Sequence, residues 1–216
     1  VAEVLGQAVE KHRAVTRQRL SSQVLGLLNR RFDSESLVPD LLDEIHRWSG
    51  FEASLIRVEE GEDYPLAVTR GLDGDLREAM SSLLCRDDAG EILRDESGRA
   101  LLSGFCGIVA RGETSPDTPW FSKNGSFWTN SLTKTWVDAR KTKGGACKAL
   151  NHFESVALVP IRAKDKIVGL LELFDRRIGK LSLDLVHFLE DLGSSIGVAL
   201  ERRRAHQSVA KAQKNL

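Results

Sequence analysis

Three cysteines and one histidine are the residues whose chemistry first stands out in this sequence: Cys85, Cys106, Cys147 and His152. No two of the cysteines form a Cys-x-x-Cys pair, which excludes a compact zinc finger. If the fold brings all four side chains together, a Cys₃His set suits zinc or an iron centre. Two alternatives stay open, namely three small buried hydrophobic residues and a thiol pair that reports redox state. The cofactor is therefore open, with a metal or iron centre as one candidate.

Aromatic side chains are concentrated in one stretch that contains Trp120, Phe121, Phe127, Trp128 and Trp136. A pocket lined by aromatic groups and a few polar ones suits a planar or hydrophobic ligand. The same side chains serve equally well to hold a long loop against a sheet, and the two roles are compatible. The predicted ligand-binding residues are Cys106, Trp120, Phe127, Trp128, Thr129 and Asn130.

A loose basic run, Arg140, Lys141, Lys143 and Lys148, surrounds a pair of glycines. It lacks the Gly-Lys-Ser/Thr pattern and the preceding strand of a phosphate-binding loop. We therefore interpret this run as solvated surface in preference to an anion site.

The composition is typical of a soluble domain of mixed structure. The chain has 216 residues, 41% of them hydrophobic, and its 31 basic and 31 acidic side chains give a formal net charge of zero. This balance argues against nucleic-acid binding, since no basic excess is available to displace counterions from phosphate. No apolar run approaches the roughly 20 residues that span a bilayer, which argues against membrane insertion. The few cysteines favour a reducing, cytoplasmic location.

Hydrophobic periodicity predicts the elements that must position these residues. Helices are predicted over about 1–32, over 36–50, over 75–85 and from 182 onward. Apolar runs at 52–59, 64–70, 156–161 and 167–174 predict two antiparallel hairpins. Residues 86–150 are mostly irregular apart from a small surface hairpin between turns at 87–90 and 95–98, and such inserts tend to carry function. The expected class is α+β, an antiparallel sheet with helices packed on one side.

Two segments of this pattern make the chain resemble a known family. The hairpin ESVALVPIRAKDKIVGLLELFDRR, followed by a Leu-rich helix that ends in IGVALE, resembles the GAF sensory domain. The segment 125–131, together with Cys147 before residues 154–157, is similar to a subgroup of these domains in bacterial multidomain histidine kinases and related regulators. The resemblance implies a GAF-like antiparallel sheet, an insert folded over a pocket, and a small-molecule ligand of open identity.

The cysteines distinguish between the activities that the resemblance implies. A bilin-attaching member is expected to have His directly after Cys, whereas Arg86, Gly107 and Lys148 follow the three cysteines here. The acidic-aromatic signature of cyclic-nucleotide-binding members is not evident either. The free methionine-(R)-sulfoxide reductases, GAF-fold enzymes with three cysteines, supply the enzymatic alternative. In that alternative the lysines around Cys147 favour a lowered thiol pKa.

We therefore expect a sensory domain, not an enzyme, that is a piece of a larger bacterial signalling protein. The predicted parts are an N-terminal linker and dimerisation helix over 1–32, a GAF core over 33–182 with its insert at 86–150, and a C-terminal helix and signalling linker over 183–216. A ligand, metal centre or thiol state under the insert would shift the terminal helices and so an output domain. A structural dimerisation module without a ligand is a further alternative. Apolar stripes in both terminal helices predict a homodimer through Leu20, Val24, Leu27, Leu28, Leu185, Leu189, Leu192 and Ile196. The alternative is that these helices only complete the core of the domain.

Overall fold

Six α-helices and five strands make up the part of the chain that the computed structural model describes, residues 2–30, 35–139, 150 and 152–214. None of the described helices is long and apolar enough to cross a membrane. Cys147 and the basic run at 140–148 lie outside the described residues. In chain order the elements are α1 (Ala2–Arg30), α2 (Leu37–Ser49), β1 (Ala53–Val58), β2 (Leu66–Arg70), α3 (Gly74–Ala79), α4 (Gly104–Arg111), β3 (Phe127–Thr129), α5 (Leu132–Ala139), β4 (Ser155–Ala163), β5 (Lys166–Asp175) and α6 (Leu183–Lys214).

The central positions of the sheet belong to strands with highly apolar sequences. The described strands form one antiparallel sheet in the order β2-β1-β5-β4-β3. β4 and β5 are buried along almost their whole length, because strands covered on both faces need apolar side chains on both. Their connection turns at Lys164, whose φ of 55° is the left-handed conformation that short hairpin loops use. The predicted C-terminal hairpin is confirmed.

One face of the sheet is covered by the long helices α1, α2 and α6. An apolar cluster joins them to the sheet, and its members include Leu20, Ile45, Val159, Leu189 and Ile196. The apolar stripes that predicted a dimer interface are thus mostly buried within the domain, because the terminal helices complete its core; the buried members are Leu20, Val24, Leu28, Leu189, Leu192 and Ile196. α6 lies very close to β4, because Gly193 and Gly197 present no side chain to the strand. A Cβ atom at Gly197 would lie 2.0 Å from the carbonyl oxygen of Arg162, and one at Gly193 would lie 3.0 Å from that of Pro160.

The opposite face carries the shorter helices α4 and α5 of the insert, with β3 at the edge of the sheet. Successive side chains of β5 point to opposite faces of the sheet. Leu171 therefore belongs to the apolar cluster beneath the long helices, the first cluster, whereas Leu170 and Phe174 belong to a second cluster beneath the insert. The α+β class and the antiparallel sheet are confirmed. Helices, however, pack on both faces and not on one side, because the insert contains α4 and α5, which periodicity did not single out. The second cluster includes Leu55, Phe105, Val109, Phe127, Leu158, Leu170 and Phe174.

The chain between α3 and α4 repeats the pattern Arg-Asp-x-x-Gly at 86–90 and 94–98. In each copy the aspartate, Asp87 or Asp95, accepts backbone N–H groups and closes a tight turn. Backbone hydrogen bonds run from Cys85 to Leu101, from Leu93 to Cys85 and from Leu101 to Leu93. Both predicted turns are confirmed. The predicted hairpin is joined by a third segment around Leu101, so that the segments around Cys85, Leu93 and Leu101 each hydrogen-bond to the other two.

The helix predicted over 75–85 is shorter in the structure, where α3 ends at Ala79. Asp63, in the loop between β1 and β2, accepts hydrogen bonds from the Ser82 hydroxyl at 2.6 Å and from the Leu83 backbone at 2.9 Å. These bonds hold the chain in an extended course, because a side chain that bonds the backbone offers an alternative to the helical pattern.

Candidate ligand-binding site

β3 directs two predicted ligand residues to opposite faces of the sheet. Phe127 is fully buried in the second cluster, where its ring stacks on Phe105 with 4.0 Å between the centroids. Trp128 packs against the first cluster, on the side of the long helices. Neighbouring residues of a strand point to opposite faces, which accounts for the separation. Phe127 therefore lies on the insert-covered face, and Trp128 does not.

The other predicted ligand residues of this stretch help to hold the insert in place. Trp120 is half-buried against the second cluster. Thr129 shares a hydrogen bond with Thr135 of α5 at 2.8 Å. The Asn130 side chain both donates to and accepts from the backbone of Leu181 at 2.8 Å, just before α6 begins. Asn130 thus anchors β3 to the start of α6.

The predicted metal ligands lie only partly within the described residues. Cys106 is buried in α4 and belongs to the second cluster. Cys85 is half-buried, and burial raises the pKa of its thiol against the opposing positive charge of Arg111. His152 is exposed, and Cys147 is outside the described residues, so the Cys₃His site stays a prediction. Among the residues that are described, no three His, Cys, Asp or Glu side chains form a group suited to a metal ion.

A buried ion pair that the sequence analysis did not single out lies on the insert-covered face. Arg57 of β1 donates from Nε to Oε1 of Glu172 in β5 at 2.9 Å, and the two side chains are 1% and 0% exposed. Nη1 of Arg57 also donates to the carbonyl of Tyr64 at 3.0 Å. Oε2 of Glu172 is buried and has no hydrogen-bond partner in the described part of the chain. The signal for this pair is a single charged residue inside each of two apolar runs, 53–58 and 167–174.

Two further polar groups pack against the same face. The Tyr64 hydroxyl lies 3.2 Å from the carbonyls of Ala110 in α4 and Ile167 in β5, and burial raises the pKa of this phenol. The Trp136 ring packs 5.2 Å from Phe105, and its Nε1 is buried without a partner among the described residues. Among the described residues, Glu172 and Trp136 thus leave one acceptor and one donor unpaired on the insert-covered face.

The insert is also hydrogen-bonded to α6, which covers the other face. Glu190 of α6 is only 5% exposed. Asn124 donates from Nδ2 to Oε2 of Glu190 at 2.7 Å, and the Ser122 hydroxyl donates to Oε1. Ser122 in turn accepts the backbone N–H of Ser126 at 3.0 Å. Because β3 follows directly, this carboxylate ties the strand that carries Phe127 to the long helix.

A groove of about 640 Å³ lies between α1 and α2, on the face opposite Glu172. Charged side chains such as Arg19, Asp43 and Arg47 line much of it. This lining does not match the apolar, aromatic site that the sequence predicts.

Comparison with known proteins identifies the family of this fold. A family model described as GAF domain matches residues 33–201. No curated protein matches the chain. Among solved structures, the chain is similar to the GAF domain of a phosphoenolpyruvate-protein phosphotransferase from Coxiella burnetii, with a TM-score of 0.64 and 12% identity over 90% of this chain and 98% of that one.

Two other similar structures have different activities in their names. Free methionine-R-sulfoxide reductase from Neisseria meningitidis, in complex with its substrate, gives a TM-score of 0.60 at 15% identity over 90% of this chain and 93% of that one. A domain assigned to a two-component sensor histidine kinase from Sinorhizobium meliloti gives 0.52 at 11% identity over 82% and 96%. Likeness at such identities establishes the fold alone. Because the family model covers most of the sequence, the chain belongs to the GAF domain family.

Proposed function

We propose that this GAF domain is a sensory module in which a small ligand bound under the insert changes the position of α6. The observation that carries the proposal is the contact of Ser122 and Asn124, in the insert, with the buried carboxylate of Glu190 in α6. A sensor needs such a link, because a ligand shifts an equilibrium only through differential contacts with two states.

The course of α6 supports the same proposal. Asn130 provides a second link by bonding the backbone of Leu181, two residues before the helix starts. The buried residues of α6 are concentrated between Val186 and Leu200, whereas the described side chains from residue 205 onward are exposed. The helix thus extends past the core that it helps to form. We infer that this extension leads toward an output domain.

The parent protein is proposed to be a bacterial histidine kinase or a related regulator that works as a homodimer. The fold likeness to the Sinorhizobium meliloti domain is consistent with that class of parent. Large apolar side chains are exposed on both terminal helices, among them Val15 in α1 and Val198 and Val209 in α6. Pairing of these helices between two copies would bury them and would let a ligand act on both helices together.

A thiol-dependent reductase of free methionine-(R)-sulfoxide is the second candidate. The fold likeness to the Neisseria meningitidis enzyme favours it. Burial of Cys106 and the raised pKa of Cys85 weigh against these two thiols as reactive partners of Cys147, since the reactive form of a cysteine is the exposed thiolate. For this reason we rank the sensory role first.

A thermal-shift screen of small molecules followed by hydrogen–deuterium exchange tests the sensory role. A compound that raises the melting temperature should also change amide exchange in 183–214, and Glu190→Gln should weaken that response without abolishing binding. Binding that leaves exchange in α6 unchanged would contradict the proposal. Turnover of methionine-(R)-sulfoxide with thioredoxin, lost in Cys147→Ser, would assign the enzyme instead. Stoichiometric metal in the purified protein would make the sensed group a metal centre.

A further inference from the structure

We infer that the ligand of the insert-covered site is an uncharged, largely apolar molecule that donates an N–H or O–H group to Oε2 of Glu172. This inference deepens the proposed function and rests on it for the location of the site. Glu172 is the residue that recognises the ligand, and Arg57 is the residue that positions Glu172.

The first step is the unpaired oxygen itself. Glu172 is fully buried, and Oε2 has no hydrogen-bond partner among the described residues. Buried polar groups in folded proteins are nearly always hydrogen-bonded, because an unpaired one keeps the full penalty of its desolvation. Its side chain lies on the face of the second cluster, since Leu170 and Phe174, two positions away on either side in β5, both belong to that cluster. A donor supplied by a ligand under the insert removes the penalty.

The second step concerns charge. The guanidinium of Arg57 lies 2.9 Å from Oε1 and already balances the carboxylate, with both groups buried. A ligand that brought an ammonium group would leave one positive charge in excess in an apolar surrounding, which is far more costly than burying a neutral donor. An N–H or O–H group without charge satisfies Oε2 and leaves the pair neutral.

The third step concerns the surroundings. Register places Leu55 and Leu158 directly beside Glu172 on the neighbouring strands. Further along the same face, the Phe105 ring stacks on Phe127 and packs against Trp136. Leucine and aromatic side chains favour a hydrophobic or planar body. The predicted ligand is thus unlike a free amino acid, whose ammonium and carboxylate groups would add two charges to a site that already has a closed ion pair.

Matched fragment pairs test the inference on the unchanged protein. Each pair has an uncharged aromatic fragment with one N–H or O–H group and its N-methyl or O-methyl counterpart, for example indole with 1-methylindole and phenol with anisole. Tryptamine and tyramine supply ammonium-bearing analogues. Binding is measured by ligand-observed NMR. We expect the donors to bind at least about tenfold more tightly than their methylated partners, the size expected for a hydrogen bond to a charged group.

Glu172→Gln is the decisive variant, because it replaces the free oxygen with an amide that can turn its NH₂ group outward. The donor preference should vanish in this variant and persist in Glu96→Gln, a matched change at an exposed turn. Equal binding of donors and methylated partners, tighter binding of the ammonium analogues, or no binding of any fragment would each overturn the inference. If Glu172→Gln does not fold, the comparison of pairs on the unchanged protein still decides.

The same fragments separate this inference from the proposed function. Donor-dependent binding without any change of amide exchange in α6 would leave the ligand inference standing and contradict the sensory role. A response of α6 to methylated fragments as strong as to donors would leave the sensory role standing and contradict the ligand inference.

Discussion

Asn124, in the insert, donates a hydrogen bond of 2.7 Å to Glu190, in the helix that covers the opposite face of the sheet. A carboxylate buried in this way is a strong acceptor, and Ser122 shares it. The insert and α6 therefore cannot move independently without exposing or unpairing a buried charge. This contact makes the insert and α6 one mechanical unit.

Removing the Glu190 carboxylate should loosen that unit. Glu190→Ala deletes two hydrogen bonds to a charged acceptor, and we expect a loss of about 2 kcal/mol in the free energy of unfolding. The measurement is urea denaturation followed by circular dichroism. Asp191→Ala is the matched control, because Asp191 is the next residue of the helix and is exposed. Equal losses in the two variants would contradict a specific role for Glu190.

The Arg57–Glu172 pair should be costly to break and inexpensive to replace. Glu172→Ala strands a buried guanidinium, and we expect a loss of about 3–5 kcal/mol in the free energy of unfolding. The double variant Arg57→Met/Glu172→Leu removes both charges at similar volume and should recover most of that loss. Urea denaturation of the single and double variants measures both values. A double variant as unstable as the single one would mean that the pair itself holds the face together.

The close approach of α6 to β4 should depend on Gly197 far more than on Gly193. Alanine is favoured over glycine inside a helix by about 1 kcal/mol, which both substitutions gain. Gly197→Ala places a Cβ atom 2.0 Å from the Arg162 carbonyl oxygen, so the backbone must shift, and we expect a net loss of about 2 kcal/mol or more. Gly193→Ala meets its nearest atom at 3.0 Å and should stay within about 1 kcal/mol of the unchanged protein. Thermal denaturation that ranks the two variants equally would contradict this geometry.

The ion pair between α2 and β2 should make a small, pH-dependent contribution to stability. Arg70 donates to both oxygens of Asp43, at 2.5 and 3.1 Å, and these hydrogen bonds lower the pKa of Asp43 below its ordinary value of 3.8. A carboxyl group with a lower pKa in the folded state adds stability above its unfolded pKa and loses it as the pH falls through the folded one. Because the two side chains are 40% and 35% exposed, we expect at most about 1 kcal/mol at pH 7.

The check is the free energy of unfolding of Asp43→Asn against the unchanged protein over a range of pH. The difference should be present at neutral pH, begin to shrink near pH 3.8 and disappear below the lowered pKa of the folded state. Asp88→Asn, at an exposed turn, is the control. A difference that persists unchanged at low pH would assign the effect of Asp43 to packing.

The fold was predictable from the sequence wherever one pattern decided the structure. The apolar runs around Val159 and Leu171 specify central strands, and the turn at Lys164 specifies how they pair. The insert was not predictable in the same way, because α4 and β3 are short and take their course from tertiary contacts. One of these is the stacking of Phe105 on Phe127, between residues far apart in the chain.

The candidate site was predictable in part, for a related reason. The concentration of aromatic residues singles out Phe127, and strand alternation, once β3 is known, separates it from Trp128. Pairing between Arg57 and Glu172 depends on the β1–β5 register, which joins strands far apart in the chain, since these two residues are 115 positions apart. A single charged residue inside an apolar run is the signal that the sequence offers. It indicates a buried ion pair only once the two strands are known to be neighbours in the sheet.

Dimerisation through the terminal helices should depend on their exposed apolar side chains. Val198 and Val209 lie on α6 and are 60% and 57% exposed, so their burial between two copies would gain free energy from the removal of apolar surface from water. We expect a dimeric mass by light scattering for the unchanged protein and a monomeric mass for Val198→Glu/Val209→Glu. Ile178→Glu, an equally drastic change at a residue 72% exposed outside the helices, should leave the dimer intact. A monomeric mass for the unchanged protein at high concentration would contradict the proposed dimer, because the exposed valines would then have no partner helix to bury them.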